Sequence, residues 1–369
     1  MIPVNTPLLA GNEKKYLEEC IETGWISSEG PFVSRFEDEF ASYIGRDHGV
    51  SVTNGTAALE AAVCALELPK NSEVIVPSFT IISCASAILR NGLKPVPVDC
   101  DMITFNSGAA HFEAAITENT SAIMVVHVYG LPCDMDDILA LAKKHNLKVI
   151  EDAAEVIGQE YKGKRCGTFG DVSTFSFYPN KHITTGEGGM VVTDNKHLAE
   201  RLRLLRNLCF KPEKRFIHEE LGWNFRMTNL QAALGLAQLE QVDGFVAKKR
   251  NIGDAYNKRL GSIDGIALPL AETDFAKNIY WVYSIVLDSA LGMKAKFVMD
   301  RLAEHRIGTR PFFYPLHKQP VLQSHLGSDH ICKNSETLSE YGFYLPSGLG
   351  LKDDDIAFVC EKLIEVLDQ

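Results

Sequence analysis

The chain has 369 residues, of which 46% are hydrophobic and 23% charged, and its formal net charge is −11. This length favours two domains, or one large core with a smaller appendage, and the composition is that of an ordinary globular protein without biased segments. The negative charge argues against nucleic acid and anionic membrane surfaces as main partners, because both would repel the chain.

Short β-branched runs alternate with helical patterns from about residue 47 to residue 195. The strand-like runs are HGVSVTN, SEVIVPSF, KPVPVD, TSAIMVVHVYG and LKVIEDAA. Between them lie segments such as TAALEAAVCALEL and DDILALAKKHN, whose apolar residues recur at helical spacing. Continuous apolar strands separated by amphipathic helices are typical of a parallel sheet covered on both faces. We therefore predict an α/β domain with a mostly parallel sheet.

Two further strands, DVSTFSFYP and GGMVVTDN, are close enough in sequence to pair or to lie side by side. From Asn229, apolar residues keep helical spacing for about thirty residues with a break near Asp243 and Gly244, which predicts two consecutive helices. The remaining chain mixes strand patterns such as NIYWVYSIVL with helical ones such as KFVMDRLAEHRI. We predict a large domain over residues 1–244 and a small α+β domain over residues 245–369.

Cysteine usage and the N-terminal residues bear on location. The nine cysteines are scattered and none forms a C-x-x-C pair, which argues against a disulfide framework and against a zinc site. The N-terminus lacks a basic stretch followed by a long apolar run, and no segment approaches the roughly 18 apolar residues of a membrane span. We expect a cytoplasmic protein that holds no metal and does not bind membranes.

Candidate site residues follow the strands, because ligands in open parallel sheets bind beyond the carboxyl ends. In NGTA, Gly55 and Thr56 open a helix whose free amides and dipole suit an anion, although a plain capped helix has the same pattern. Asp152 ends an apolar strand, where a partly desolvated carboxylate would either seek a cation or cap a helix. His127 ends another strand and is either a structural residue or a functional one.

The stretch YPNKHITTGEGG places Lys181 five residues after Ser176, at the end of a predicted strand. A lysine here is a solvated charge, a phosphate-binding charge or a nucleophilic amine; the last role requires burial or a neighbouring cation. A single ligand with a phosphate, a protonated ring nitrogen and an aldehyde would use the helix start, Ser176, Asp152 and Lys181 together. Pyridoxal 5'-phosphate (PLP) has all three groups, and Lys181 would form the Schiff base with it.

Rival motifs are incomplete. The stretch TGEGGM does not complete G-x-G-x-x-G, and the chain has neither a Walker pattern nor an H-E-x-x-H helix. The acidic run CDMDD lacks the glycine of a calcium loop. These gaps disfavour a dehydrogenase, a kinase and a metal enzyme.

With these motifs the chain resembles the DegT/StrS family of PLP-dependent nucleotide-sugar aminotransferases. The matching pieces run in order along nearly the whole chain and include GWISSEGPFVSRFEDEFASYIG, NGTAAL, EVIVPSFT, VIEDAAE, GTFGDVSTFSFYPNKHITTGEGGMVVT and GWNFRMTNLQAALGLAQLE. The resemblance implies an aspartate-aminotransferase-like (type I PLP) fold. It also implies a homodimer whose active sites lie at the subunit interface.

The resemblance also assigns expected roles to residues. Lys181 matches the Schiff-base lysine and Asp152 the partner of the ring nitrogen. Glu155 occupies a position, often Gln, that faces the cofactor's phenolic oxygen, and Asn224 matches an asparagine that reaches the phosphate from the other subunit. Ile81 departs from the family, where an aromatic residue usually stacks on the ring. The expected phosphate ligands are Ser176, Gly55, Thr56 and Ala57.

Within the family, the chain is most similar to the branch that uses L-glutamate to aminate carbon 4 of GDP-4-keto-6-deoxymannose, giving GDP-perosamine. A related branch of dehydratases has His where this chain has Lys181, so the lysine favours transamination. The alternatives are amination of a UDP- or dTDP-linked 4- or 3-keto sugar and a non-catalytic regulatory role. Trp25 and Tyr314 fit equally well as core or interface aromatics. The expected substrate contacts are Trp25, Ser27, His127, Arg310, Tyr314 and His317.

Overall fold

The computed structural model describes residues 1–214, 216–326 and 330–368. Its strands are β1 His48–Val52, β2 Glu73–Pro77, β3 Lys94–Val98, β4 Thr120–Val126, β5 Lys148–Asp152, β6 Glu160–Tyr161, β7 Lys164–Arg165, β8 Val172–Ser176, β9 Gly189–Thr193, β10 Ile266–Ala267, β11 Tyr283–Leu287, β12 Arg310–Pro311 and β13 Gly342–Leu345.

The α-helices, in the same order along the chain, are α1 Glu13–Thr23, α2 Pro31–Ile44, α3 Gly55–Ala65, α4 Ile82–Arg90, α5 Ala109–Glu113, α6 Met135–Lys144, α7 Lys196–Leu205, α8 Asn229–Leu239, α9 Val242–Leu260, α10 Ala295–Glu304, α11 Gln323–Leu326, α12 Lys333–Tyr341 and α13 Asp353–Leu367. Short 3-10 turns are formed by Pro212–Lys214, Ser289–Leu291, Leu316–Lys318 and Pro320–Leu322. In the described ranges, no helix is both long and apolar enough to cross a membrane.

The large sheet has seven strands in the order β1-β9-β8-β5-β4-β2-β3. All neighbours in the run β8-β5-β4-β2-β3 pair in parallel, whereas β9 is antiparallel to both β8 and β1. The mostly parallel sheet predicted from the sequence is confirmed. Because β1 and β8 both run opposite to β9, the carboxyl ends of β1, β8 and β5 share one edge of the sheet.

Both faces of this sheet are buried, which explains why its strands are continuously apolar. Successive residues of β5 point to opposite faces: Val149 packs into a core with α2 and α8, and Ile150 packs into a core with α3 and α4. Phe36 of α2 and Phe175 of β8 belong to the first core. The sheet edge is therefore held rigidly between two helical layers.

A second, antiparallel sheet has the order β10-β11-β13-β12. Its core joins apolar residues of β11 and β13 to those of α9, α10 and α13. The two consecutive helices predicted after Asn229 are confirmed. The break between them lies at residues 240–241, since α8 ends at Leu239 and α9 begins at Val242, and the predicted break residues Asp243 and Gly244 lie inside α9. The predicted domain boundary at residues 244–245 lies in the first turn of α9.

Candidate active site

A cavity of about 690 Å³ opens at the shared carboxyl edge of β1, β5 and β8. The cavity lies where a parallel sheet is expected to bind its ligand. Eight of the residues singled out in the sequence line it: Gly55, Thr56, Ala57, Ile81, Asp152, Glu155, Ser176 and Lys181.

The start of α3 forms one wall of this cavity. The Asn54 side chain caps the helix by accepting a hydrogen bond from the Ala57 amide at 2.8 Å. The amides of Gly55 and Thr56 have no hydrogen-bond partner within the part of the chain that the structure describes. A Cβ at Gly55 would lie 2.7 Å from the Ser176 Cβ, so only glycine lets the helix start approach Ser176 this closely. Two free amides at a helix N-terminus beside a hydroxyl form a cradle for an anion.

Asp152 forms the floor of the cavity and is 3% exposed. Its Oδ1 accepts a hydrogen bond from the Ala154 amide at 3.1 Å, and its Oδ2 accepts a weak one from the Cys84 thiol at 3.5 Å. Burial raises the pKa of Asp152, and these donors together with the charge of Lys181 oppose that rise only in part. The carboxylate therefore retains capacity for a cationic partner. Of the two sequence interpretations, the cavity-facing carboxylate fits the structure, whereas no helix of the described residues begins directly after Asp152 for it to cap.

Lys181 and Glu155 meet inside the cavity. The Lys181 Nζ lies 3.7 Å from the Glu155 Oε1, and the two side chains are 10% and 8% exposed. Burial lowers the pKa of Lys181 and raises that of Glu155 to about 7, while the attraction between the two groups opposes both shifts. The other oxygen of Glu155 accepts a hydrogen bond from the Tyr129 amide at 2.9 Å. An amine that loses its proton easily is suited to nucleophilic chemistry.

Aromatic side chains from distant parts of the sequence complete the cavity, and the sequence analysis missed them. Trp281, Phe225, Phe313 and Tyr344 all line it. The stretch NIYWVYSIVL predicts only a strand; the available signal for the cavity was the aromatic residue Trp281, two residues before β11. These residues supply apolar area that Ile81, at 44% exposed, covers only in part.

Two histidines expected to contact substrate lie outside the cavity, which corrects that prediction. The His127 side chain is fully buried; its Nδ1 accepts a hydrogen bond from the Cys133 amide, so its Nε2 carries the proton that is donated to Glu151. His317 is 5% exposed and bonds Ser78 through Nδ1 and Glu336 through Nε2. In both rings the two nitrogens form hydrogen bonds with protein groups.

The remaining predicted contacts lie on the surface of the single chain and outside the cavity lining. Trp25 is 49% exposed and Tyr314 is 54% exposed. Asn229, at the start of α8, fixes the loop that contains Trp25 and Ser27, since its side chain donates to the Trp25 carbonyl and its amide to the Ser27 carbonyl, both at 2.7 Å. The side chains of Ser27, Arg310 and Asn224 are likewise exposed.

The model of the DegT/DnrJ/EryC1/StrS aminotransferase family matches residues 7–364. The chain belongs to this family. The aminotransferase is 43% identical over 364 residues to a GDP-perosamine synthase of Escherichia coli O157:H7, which covers 99% of this chain and 98% of the relative. It is also 43% identical over 368 residues to a GDP-perosamine synthase of Caulobacter vibrioides, with 100% and 98% covered.

Among solved structures, Helicobacter pylori PseC, an aminotransferase involved in pseudoaminic acid biosynthesis, has a TM-score of 0.94 at 24% identity. The match covers 100% of this aminotransferase and 99% of PseC. The predicted aspartate-aminotransferase-like fold is thereby confirmed. Family membership also confirms the predicted PLP cofactor and the class of enzyme.

Proposed function

We propose that this aminotransferase moves the amino group of L-glutamate to carbon 4 of GDP-4-keto-6-deoxymannose and so forms GDP-perosamine. The observation that supports it most is the end-to-end similarity, without large gaps in coverage, to two enzymes with this product. The presence of Lys181 in the cavity supports transamination over a binding role alone, because a pure binding protein has no need of a buried reactive amine.

The cavity fits two groups of PLP, its phosphate and its ring nitrogen. The free amides of Gly55 and Thr56 and the hydroxyl of Ser176 would hold the phosphate. Asp152, whose pKa is raised by burial, gains a cationic partner when a protonated ring nitrogen lies beside it. When bound, PLP supplies an electron-withdrawing ring that stabilises negative charge on the carbon next to the transferred nitrogen.

Lys181 would carry out the proton transfers of the reaction. Burial lowers the pKa of its Nζ, so the neutral amine that can accept a proton from the amino donor's carbon forms at a lower pH than in an exposed lysine. The same Nζ would return the proton to the neighbouring carbon position, and the sequence would run backwards on the keto sugar. Glu155, 3.7 Å from Nζ, would stabilise the amine while it is charged.

The surface residues support a proposed homodimer. Exposed apolar side chains include Trp25 and Ile26 at 49% and 51%, and Leu221 at 90% near Asn224. Clusters of exposed apolar residues mark interaction surfaces in soluble proteins. In a dimer with shared sites, Asn224, Trp25 and Tyr314 would complete the partner's cavity, and Arg310 would supply a positive charge for the diphosphate or for the glutamate carboxylate.

The test is amino transfer by the purified protein with PLP and L-glutamate against a panel of GDP-, UDP- and dTDP-linked 4-keto-6-deoxyhexoses. Without a keto sugar we expect at most one 2-oxoglutarate per PLP-loaded site. With a keto sugar, 2-oxoglutarate and amino sugar should form in equal amounts over many turnovers, fastest with GDP-4-keto-6-deoxymannose. Preference for a UDP- or dTDP-linked sugar would replace the proposed substrate. Absence of any transfer by a PLP-loaded protein would favour the regulatory role instead.

A further inference from the structure

Trp281 contacts the Lys181 loop in two ways. Its side chain is 5% exposed, and the Lys181 Nζ lies 3.9 Å from the centroid of its ring. Its indole Nε1 donates a hydrogen bond at 2.8 Å to the carbonyl of Asn180, the residue before Lys181. One side chain therefore fixes both the backbone at the base of the lysine and the amine at its tip.

Trp281 is itself fixed by a buried lysine of α9. The Lys249 Nζ donates to the Trp281 carbonyl at 2.8 Å and to the Ser347 carbonyl at 2.5 Å. Lys249 is 3% exposed, and no carboxylate of the described residues lies within 4.0 Å of its Nζ. Burial lowers the pKa of Lys249 to about 7. Burying an amine without a carboxylate is unfavourable, which argues that its contacts with the two carbonyls serve a purpose.

We propose that Trp281 is a positioning residue for the amine of Lys181, and that Lys249 holds Trp281 in place for this purpose. The inference rests on the proposed role of Lys181. A lysine side chain has four rotatable bonds, so its free amine needs a resting place within reach of the reacting carbon. An indole face provides one, because it attracts the charged amine without forming a directional hydrogen bond that must later be broken.

The indole face complements the other groups that face the amine. Glu155 lies 3.7 Å from Nζ, and the carboxyl group of Asp152 and the thiol of Cys84 act on it at longer range. The carboxylate of Glu155 lies 3.7 Å and the ring centroid of Trp281 lies 3.9 Å from Nζ, so each contributes to holding the ammonium in place. Loss of Trp281 should therefore change both the position of the amine and the pH at which it loses its proton.

The experiment measures the rate at which PLP-free protein captures added PLP, followed by absorbance from pH 6 to pH 10, in wild type, Trp281→Leu and Trp281→Phe. In Trp281→Leu we expect the apparent pKa of the rate profile to fall by about 0.5 to 1 unit. We also expect the limiting rate at high pH to fall by roughly 10-fold, since the amine is less well placed. Trp281→Phe keeps an aromatic face and loses the bond to Asn180, so its apparent pKa should shift less.

Tyr283→Phe is the matched control. It lies two residues further along, is buried, and loses one hydrogen bond, from its hydroxyl to Asn257 at 2.7 Å. It is not part of the cavity lining, so we expect lower thermal stability and an unchanged rate profile. Wild-type apparent pKa and limiting rate in Trp281→Leu would overturn the inference; if that variant does not fold, unchanged values in Trp281→Phe would do so.

Lys249→Met tests the second contact. The Met side chain is unbranched and one heavy atom shorter than Lys, and the change removes both hydrogen bonds. The profile should therefore move in the same direction as in Trp281→Leu but by a smaller amount. A less stable protein with a wild-type profile would show that Lys249 only supports the fold. Failure of the proposed function can be told apart from failure of this inference. In that case the wild type would capture PLP through Lys181 but aminate no keto sugar, and Lys181→Ala would capture no PLP.

Discussion

Two adjacent carboxylates at the end of β5 are both buried and have opposite surroundings. Glu151 is fully buried, and its two oxygens accept hydrogen bonds from His127 Nε2, from Ser173 Oγ and from the amides of Gly167, Phe169 and Gly170. Burial alone would raise the pKa of Glu151, but these donors lower it to about 2. Its charge is therefore satisfied entirely by the fold.

Asp152, one residue later, points to the opposite face and into the cavity. It receives one amide hydrogen bond and one weak thiol hydrogen bond, and burial raises its pKa. The comparison indicates how a structural carboxylate differs from one kept for a ligand. A structural charge has its donors within the protein, whereas a ligand-binding charge is desolvated and left short of donors.

The largest expected effect comes from Lys181→Ala, which removes the cavity's amine. We expect the variant to form no covalent bond with PLP and its rate of amino transfer to fall by at least ~10³-fold. The reason is that no other amine lines the cavity in the described part of the chain. Absorbance of the PLP-loaded protein and formation of 2-oxoglutarate provide the measurements. Wild-type turnover by this variant would exclude Lys181 from the reaction.

Asp152→Asn should have the next largest effect, because it removes the charge of the carboxylate that lines the cavity. The change preserves shape and removes the charge, so we expect kcat to fall by roughly 10²-fold or more through the loss of electrostatic stabilisation. Stability of the PLP-free protein should be unchanged or higher, because an uncompensated buried charge is removed. Steady-state kinetics and denaturant unfolding measure the two quantities. A large loss of stability with unchanged kcat would reverse the assignment.

Glu151→Gln should show the opposite pattern. The amide nitrogen of Gln cannot accept the hydrogen bonds that surround Glu151, so we expect unfolding free energy to fall by about 2–4 kcal/mol. Because the folded pKa of about 2 lies below the usual 4.5, the carboxylate's contribution is fully present above pH 4.5 and is lost as pH falls towards 2. The difference between wild type and variant should narrow over that window in urea unfolding curves.

Activity per folded molecule should stay within about twofold of wild type in Glu151→Gln, since the residue lies outside the cavity lining. A variant that folds as stably as wild type but has lost activity would place Glu151 in the reaction. The pair Glu151→Gln and Asp152→Asn thus separates fold from function at two adjacent positions.

The sequence was sufficient for the parallel sheet and for the cavity residues that directly follow strands. Asp152, Ser176 and the start of α3 could be predicted together because strand ends of a parallel sheet share one edge, whatever the details of packing. The sequence could not show that Glu151 is structural and Asp152 faces the cavity. That difference depends on which face of the sheet each side chain takes and on amides contributed by residues 167–170.

His127 and Trp281 show the same limit of sequence-based prediction: His127 was expected at the site and lies outside it, whereas Trp281 was not expected there and lines the cavity. His127 follows a strand, as a ligand-binding residue would, yet both ring nitrogens are used inside the core. Trp281 lies two residues before β11 of the second sheet, about 100 positions after Lys181, and no local pattern links the two. Contacts between distant segments depend on how the second sheet packs against the first, which strand and helix periodicity does not specify.

The smallest expected effect is that of Glu155→Gln. Glu155 forms an ion pair with Lys181, and burial raises the pKa of Glu155 to about 7. Above that pH the carboxylate is ionised and holds the Lys181 amine in its charged, unreactive form. In Glu155→Gln this attraction is absent, so Lys181 should lose its proton at a lower pH. We expect the rate of PLP capture at pH 7.5 to rise by about 3- to 10-fold, equivalent to roughly half to one pKa unit.

Below pH 6 the two proteins should converge, because Glu155 is then protonated in the wild type and resembles the Gln variant in charge. Stopped-flow absorbance across pH 5.5 to 9 provides the comparison, with Glu151→Gln as the control that alters a neighbouring buried carboxylate outside the cavity. Equal profiles for wild type and Glu155→Gln would mean that Glu155 does not control the protonation of the Lys181 amine. A slower rate in the variant at every pH would instead assign Glu155 to orienting the cofactor.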